Sequence, residues 1–198
     1  MTETRSQALA ERWMTGEGLA LWARRVALVV AGVAMLAILA KIKVPMWPVA
    51  ISMGTFGVLT IGAAYGPRLG LATILAYMGL GALGADVFQG SGPGASGLAY
   101  MLGGTGGYLV GYVLAVAVMG AAARAGWDRS AGRLALAMLA ANAVIYIPGL
   151  AWLGQLYGWD QPILAWGLWP FLIGDALKLA LAALLVPAAW RLAGPARG

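Results

Sequence analysis

Residues 23–45 read ARRVALVVAGVAMLAILAKIKVP, and no charged side chain interrupts them between Arg25 and Lys41. A helix over Ala23–Ala40 would be about 27 Å long at 1.5 Å per residue, close to the ~30 Å hydrocarbon core of a bilayer. Arginines precede it, and Lys41, Lys43 and Pro45 end it. A backbone polar group left unpaired in lipid costs several kcal/mol, and a helix pairs its own. The stretch is therefore expected to be a transmembrane helix, and the rest of the chain repeats its character.

Of 198 residues, 62% are hydrophobic and 10% charged, 30 are glycine, and the mean hydropathy is +0.83. A water-soluble domain carries about 25% charged residues, so an integral membrane protein is expected and disorder is excluded. Cysteine and histidine are both absent. That removes thiol nucleophiles, disulfides, iron–sulfur clusters and the usual metal sites, together with most general acid–base chemistry near neutral pH. The net charge of +6 is scattered over the gaps between apolar runs. Membrane topology explains that spacing better than nucleic-acid binding does.

Six spans are expected: about Ala23–Ala40, Val49–Tyr65, Leu69–Leu83, Thr105–Ala123, Leu134–Ile147 and Leu168–Trp190. Gly66-Pro67-Arg68 reads as the turn between the short second and third spans, and Pro148-Gly149 as the stop of the fifth. The Trp-rich piece 151–169 reads as interfacial or partly re-entrant. With six spans, ten Lys and Arg residues fall on the side of the termini, and only Lys41 and Lys43 on the other. The positive-inside rule then puts both termini in the cytoplasm. The expected organisation is a cytoplasmic segment over 1–22, one six-helix transmembrane domain over 23–190 and a short cytoplasmic tail over 191–198, in the cell inner membrane. The two halves share no motif at a fixed offset, so an inverted-repeat transporter is not indicated.

Asp175 and Lys178 stand three apart inside the last apolar run. An ionised group facing lipid costs about 2.5–3.5 kcal/mol on insertion scales, so both are expected to face the bundle interior or a cavity. Counting from the outer end of that helix, Asp175 lies about 10 Å deep. The pair is expected to line a pocket open to the outside, or else to form an internal ion pair that specifies packing. Asn142 and Tyr146, four apart in the fifth span, share a face and need partners, which a polar ligand or Asp175 would supply. GGTGGY at 103–108 lacks the strand and the Lys-Ser or Lys-Thr of a nucleotide loop. Its glycines permit a tight turn and close backbone approach, with Thr105 and Tyr108 offering hydroxyls. Gln89, Phe88 and Tyr100 in the connecting loop add a polar handle and apolar walls. Ala23, Ala27 and Ala31 recur every four residues and form a smooth strip that could dock another helix.

Four pieces in this order carry a resemblance: VPMWPVAISMGTFGVLTIGAAYGPRLG at 44–70, GALGADVF at 81–88, GGTGGYLVGY at 103–112 and GDALK at 174–178. From about Lys43 to Val186 the chain resembles the BioY family, the biotin-binding S components of energy-coupling-factor (ECF) transporters. The resemblance implies an all-α, six-helix bundle that captures biotin with high affinity. It also implies delivery inward with a transmembrane coupling subunit and two cytoplasmic ATPase subunits, which use the ATP; the chain itself takes no cofactor. Asp175 and Lys178 match the family's ligand-contacting GD-x-x-K segment. Phe88, Gln89, Thr105 and Tyr108 match its loop and fourth-helix contacts, and the alanines of the first helix match its docking surface. The chain departs from the family at Ala50, Ser52 and Gly54, where PVPxTxQT is usual, at Asp86, where LPVF has proline, and at Gly104, where GPTGGY has proline. These changes are expected to loosen the outer loops or alter the ligand preference. Another vitamin or a biotin precursor therefore stays open as substrate, as does homo-oligomerisation. From other classes, a small membrane enzyme acting on a lipid-borne group and a structural subunit without ligand remain alternatives.

Overall fold

The computed structural model describes residues 8–10, 18–92 and 95–193. The expected cytoplasmic residues Arg5, Arg12 and Arg197 lie outside them. Helix α1 spans Gly18–Lys41, five residues earlier than its charge pattern suggests. A small hairpin follows, β1 (Lys43–Val44) paired antiparallel with β2 (Ile51–Ser52). Then come α2 (Gly54–Ala82), α3 (Gly97–Met101), α4 (Gly106–Arg124), a 3-10 turn at Trp127–Arg129, α5 (Ala131–Tyr157), α6 (Ile163–Gly167) and α7 (Trp169–Ala193). Among the described residues, five helical stretches are long and apolar enough to cross a membrane, namely α1, α2, α4, α5 and the stretch Ile163–Leu192.

The second of these is two helices folded against each other. Gly66 has φ 71° and ψ −178°, an extended, positive-φ conformation that is essentially glycine-only, and Pro67 starts the second arm. Along a straight helix, residues 62 and 70 would stand about 12 Å apart. Instead, a Cβ built on Gly70 would lie 3.7 Å from Gly62 Cα. The arms 54–65 and 67–82 thus run in opposite directions, as the turn at Gly66-Pro67-Arg68 predicts, so the described residues hold six long helical segments. α4 packs centrally between α2 and α5. Glycines let it approach: a Cβ on Gly62 would come within 2.6 Å of Met119, one on Gly120 within 2.5 Å of Pro67, and one on Gly111 within 2.7 Å of the Ile145 backbone.

The fifth span does not stop at Pro148-Gly149. α5 continues to Tyr157, so residues 151–157 are its last turns rather than an interfacial piece. Proline is tolerated inside transmembrane helices. Gly149 serves packing instead of termination, because a Cβ there would fall 2.6 Å from the Tyr108 ring. Only the remainder, the turn after Tyr157 and the short α6, behaves as a surface connection. There Trp47 packs edge-on against Tyr157 and Trp166, with ring centroids 5.5 and 5.0 Å apart, as expected of an aromatic belt.

α1 is peripheral. Gly32, Val33, Leu36 and Ala40 bury its inner stripe. Only 22% of its most apolar window is buried, against 39–56% for the other spans, so most of its surface faces outward.

Candidate functional site

Folding α2 back on itself brings both of its ends to one end of the bundle. Thr55, at the start of the first arm, and Tyr77, near the end of the second, line the same cavity. The hairpin adds Ser52, the 84–92 loop adds Phe88 and Gln89, the turn before α4 adds Thr105, α4 adds Tyr108 and Tyr112, and α5 adds Tyr146. Phe171 and Lys178 close it from α7, leaving a narrow cavity of about 40 Å³.

Asp175 and Lys178 form a buried ion pair, Nζ to Oδ1 3.0 Å. Thr55 knits it to α2. Its Oγ1 accepts from Lys178 Nζ at 2.9 Å and donates to Asp175 Oδ1 at 3.4 Å. Tyr146 Oη donates to Asp175 Oδ2. Both carboxylate oxygens are therefore occupied by protein donors, and it is Lys178, not Asp175, that faces the cavity. An ammonium has three donors; two bond to Thr55 and Asp175, which leaves one over.

The walls are aromatic. Tyr108 stacks on Phe171, centroids 6.3 Å apart, and Tyr146 meets both rings edge-on. The Tyr108 hydroxyl donates to Gly167 O at 2.8 Å, which fixes the ring. Across the cavity Phe88 stacks on Tyr100 at 5.1 Å and meets Tyr77 edge-on at 5.3 Å. Phe88 fits there because Gly81 lacks a Cβ that would lie 2.0 Å from the ring. Thr105 caps this side beside the Tyr100 hydroxyl. Trp152 Nε1 donates to Gly103 O at 2.8 Å and holds the glycine turn against α5.

Of the residues singled out in the sequence, Lys178, Tyr108, Thr105, Gln89, Phe88 and Tyr146 come together around one cavity. Asp175 stands behind it as the counter-charge. Asn142 lies apart. It lines, with Asp175, a separate apolar groove between α5 and α7, and its Oδ1 is buried without a hydrogen-bond partner. One turn separates Asn142 from Tyr146, and only Tyr146 reaches the cavity. Sequence reasoning passed over Thr55, Tyr112 and Phe171. Helical spacing was the available signal: Phe171 is four residues before Asp175, and Tyr112 four after Tyr108.

Asp86 behaves contrary to the looser loop expected of it. Lys41 Nζ reaches its Oδ1 at 2.5 Å and also donates to Phe88 O at 2.8 Å. Ser91 Oγ donates to Asp86 at 2.7 Å and accepts from Phe88 N at 3.0 Å. Lys43 Nζ donates to Gln89 O. Lys41 and Ser91 hold the Asp86 carboxyl below its usual pKa range. The loop is tied down where proline would have stiffened it.

The family model described as the BioY family matches residues 6–195. A probable biotin transporter BioY of Pyrococcus horikoshii is 36% identical over 163 residues, covering 82% of this chain and 94% of that one. A biotin transporter BioY of Thermotoga maritima is 30% identical over 164 residues, covering 80% and 92%. A crystal structure described as the S-component for biotin from an ECF-type ABC transporter superposes with a TM-score of 0.74 at 20% identity. It covers 89% of this chain and 95% of that one, and so shares the fold.

Proposed function

Because the chain belongs to the BioY family, a family of transport subunits rather than enzymes, we propose that it is the high-affinity biotin-binding membrane subunit of an ECF-type uptake transporter. It is a multi-pass protein of the inner membrane, with both termini on the cytoplasmic side in this reading. The observation that carries the proposal is the cavity: aromatic walls around a buried ammonium whose counter-charge is already satisfied. Biotin presents an apolar thiophane ring and aliphatic chain, a ureido carbonyl and a carboxylate. Phe88, Tyr100, Tyr108 and Phe171 suit the apolar parts, and Lys178 offers a charge-assisted donor to an acceptor oxygen. Gln89 and Thr105 supply further polar contacts at the mouth.

Transport requires partners that supply ATP hydrolysis, a transmembrane coupling subunit and two cytoplasmic ATPases. Ala23, Ala27 and Ala31 are exposed on α1, away from the stripe packed on α2, which suits the docking of a coupling helix.

The test is a thermal-shift screen of detergent-purified protein with biotin, desthiobiotin, riboflavin and thiamine. Biotin at a thousandfold excess over its Kd adds about 4 kcal/mol of stability. A larger shift with another vitamin would reassign the substrate; no shift with any would remove the transport reading.

A further inference from the structure

The Lys41–Asp86–Ser91 cluster lies outside the cavity, yet it holds two residues that line it. Lys41 ends α1 and Lys43 opens the hairpin that carries Ser52 into the cavity wall. Across from them, Phe88 and Gln89 enter the wall from the 84–92 loop. The two lysines bond to Asp86, Phe88 O and Gln89 O, so the hairpin and the loop are fastened to each other at the cavity mouth. Lys41 adds a longer bond to Ser91 O at 3.4 Å. Each of these bonds joins protein groups alone and needs no ligand to form. The anchoring side chains are partly open to solvent, Lys41 37% and Asp86 61% exposed, so the fastening can break without unfolding the bundle.

We propose that Asp86, with Lys41, is a latch that positions Phe88 and Gln89 over the cavity and sets the rate at which the ligand enters and leaves. The proposal rests on the cavity being the biotin site. A latch that closes the empty and the filled cavity alike slows both entry and exit and leaves their ratio unchanged. A residue that touched the ligand would change the ratio, as would one whose loss deformed the cavity.

The experiment measures association and dissociation rate constants of biotin by stopped flow, for the wild type, Asp86→Asn and Asp86→Glu. Asp86→Asn raises both constants about two- to fivefold, the range expected of an exposed ion pair, at nearly constant Kd. Asp86→Glu returns both towards the wild type. Raising salt from about 0.01 M to about 1 M raises the wild-type dissociation rate more than that of Asp86→Asn, since the exposed Lys41–Asp86 pair is screened. Unchanged rates in Asp86→Asn, or a changed Kd with a constant association rate, overturn the latch. Hydrogen exchange of the 86–91 amides, measured without ligand, separates this outcome from failure of the biotin reading. Should wild-type protein bind no biotin, faster exchange in Asp86→Asn still supports the latch and equal exchange refutes it.

Discussion

Removing one charge of the Asp175–Lys178 pair and then both separates what the pair does for folding from what it does for the ligand. In Asp175→Asn the Lys178 ammonium stays buried, 7% exposed, with neutral acceptors alone and no counter-charge. Truncating one member of a buried pair costs about 3–5 kcal/mol, because the survivor is left uncompensated. Lys178→Met leaves the Asp175 carboxylate with Tyr146 and Thr55, and its cost falls at the low end of the same range. The double variant Asp175→Asn/Lys178→Met has no buried charge at this site. The introduced amide can still accept from Tyr146, and the methionine fills the lysine stem's volume, so its stability lies within about 1 kcal/mol of wild type. The singles are thus non-additive by several kcal/mol.

Binding follows a different order. The double variant lacks the ammonium that faces the cavity, and one charge-assisted hydrogen bond is worth about 1.5–3 kcal/mol, or roughly a ten- to 150-fold rise in the biotin Kd. Equilibrium unfolding in mixed micelles reports the stabilities, and radiolabelled biotin the affinities. Single variants no less stable than the double would refute the buried pair. A double variant with wild-type affinity would refute Lys178 as a ligand contact.

Gly66→Ala forces an L side chain into a region essentially reserved for glycine and destabilises the protein by about 1–3 kcal/mol, measured by the same unfolding assay. Asp128 is buried in the turn between α4 and α5, accepts from Trp190 Nε1 at 2.6 Å, and has its pKa raised, chiefly by burial. Since the folded protein holds that proton more tightly than the unfolded chain, its contribution is full below the usual carboxylate range and is lost as pH rises through the elevated value. Asp128→Asn therefore flattens the pH dependence of unfolding in mildly acidic buffer. Asp128→Ala, which takes the acceptor from Trp190, costs about 1–3 kcal/mol. Ala27→Leu on the open face of α1 leaves biotin binding within about twofold, by the ±0.5 kcal/mol expected of a surface change. It abolishes stimulated uptake in vesicles carrying the coupling module.

The apolar spans and the inward placement of Asp175 and Lys178 were legible because each rests on a large energy. An unpaired backbone group in lipid costs several kcal/mol, so apolar runs between charges had to be helices, and two ionised side chains inside such a run had to turn inward. Gly66-Pro67-Arg68 was legible for a local reason, since glycine reaches the positive φ that the reversal uses and proline starts the second arm. Pro148-Gly149 misled because the same two residue types, here in the reverse order, also read locally as a turn. Its actual use depends on the Tyr108 ring, 41 residues earlier in the chain, needing the space over Gly149.

Asp86 shows the limit from the other direction. A proline stiffens a loop through its own backbone, and that can be read in place. An aspartate in its position acts through partners, and one of them, Lys41, is 45 residues away in sequence. The sequence already held a clue: Lys41 and Lys43 are the only basic residues that fall on the far side of the membrane from the termini. Their position in the sequence does not say what they bond to. The structure shows the use, because both lysines bond to the loop that carries Asp86. Two charges that read only as markers of topology also tie the end of α1 and the hairpin to the 86–89 segment.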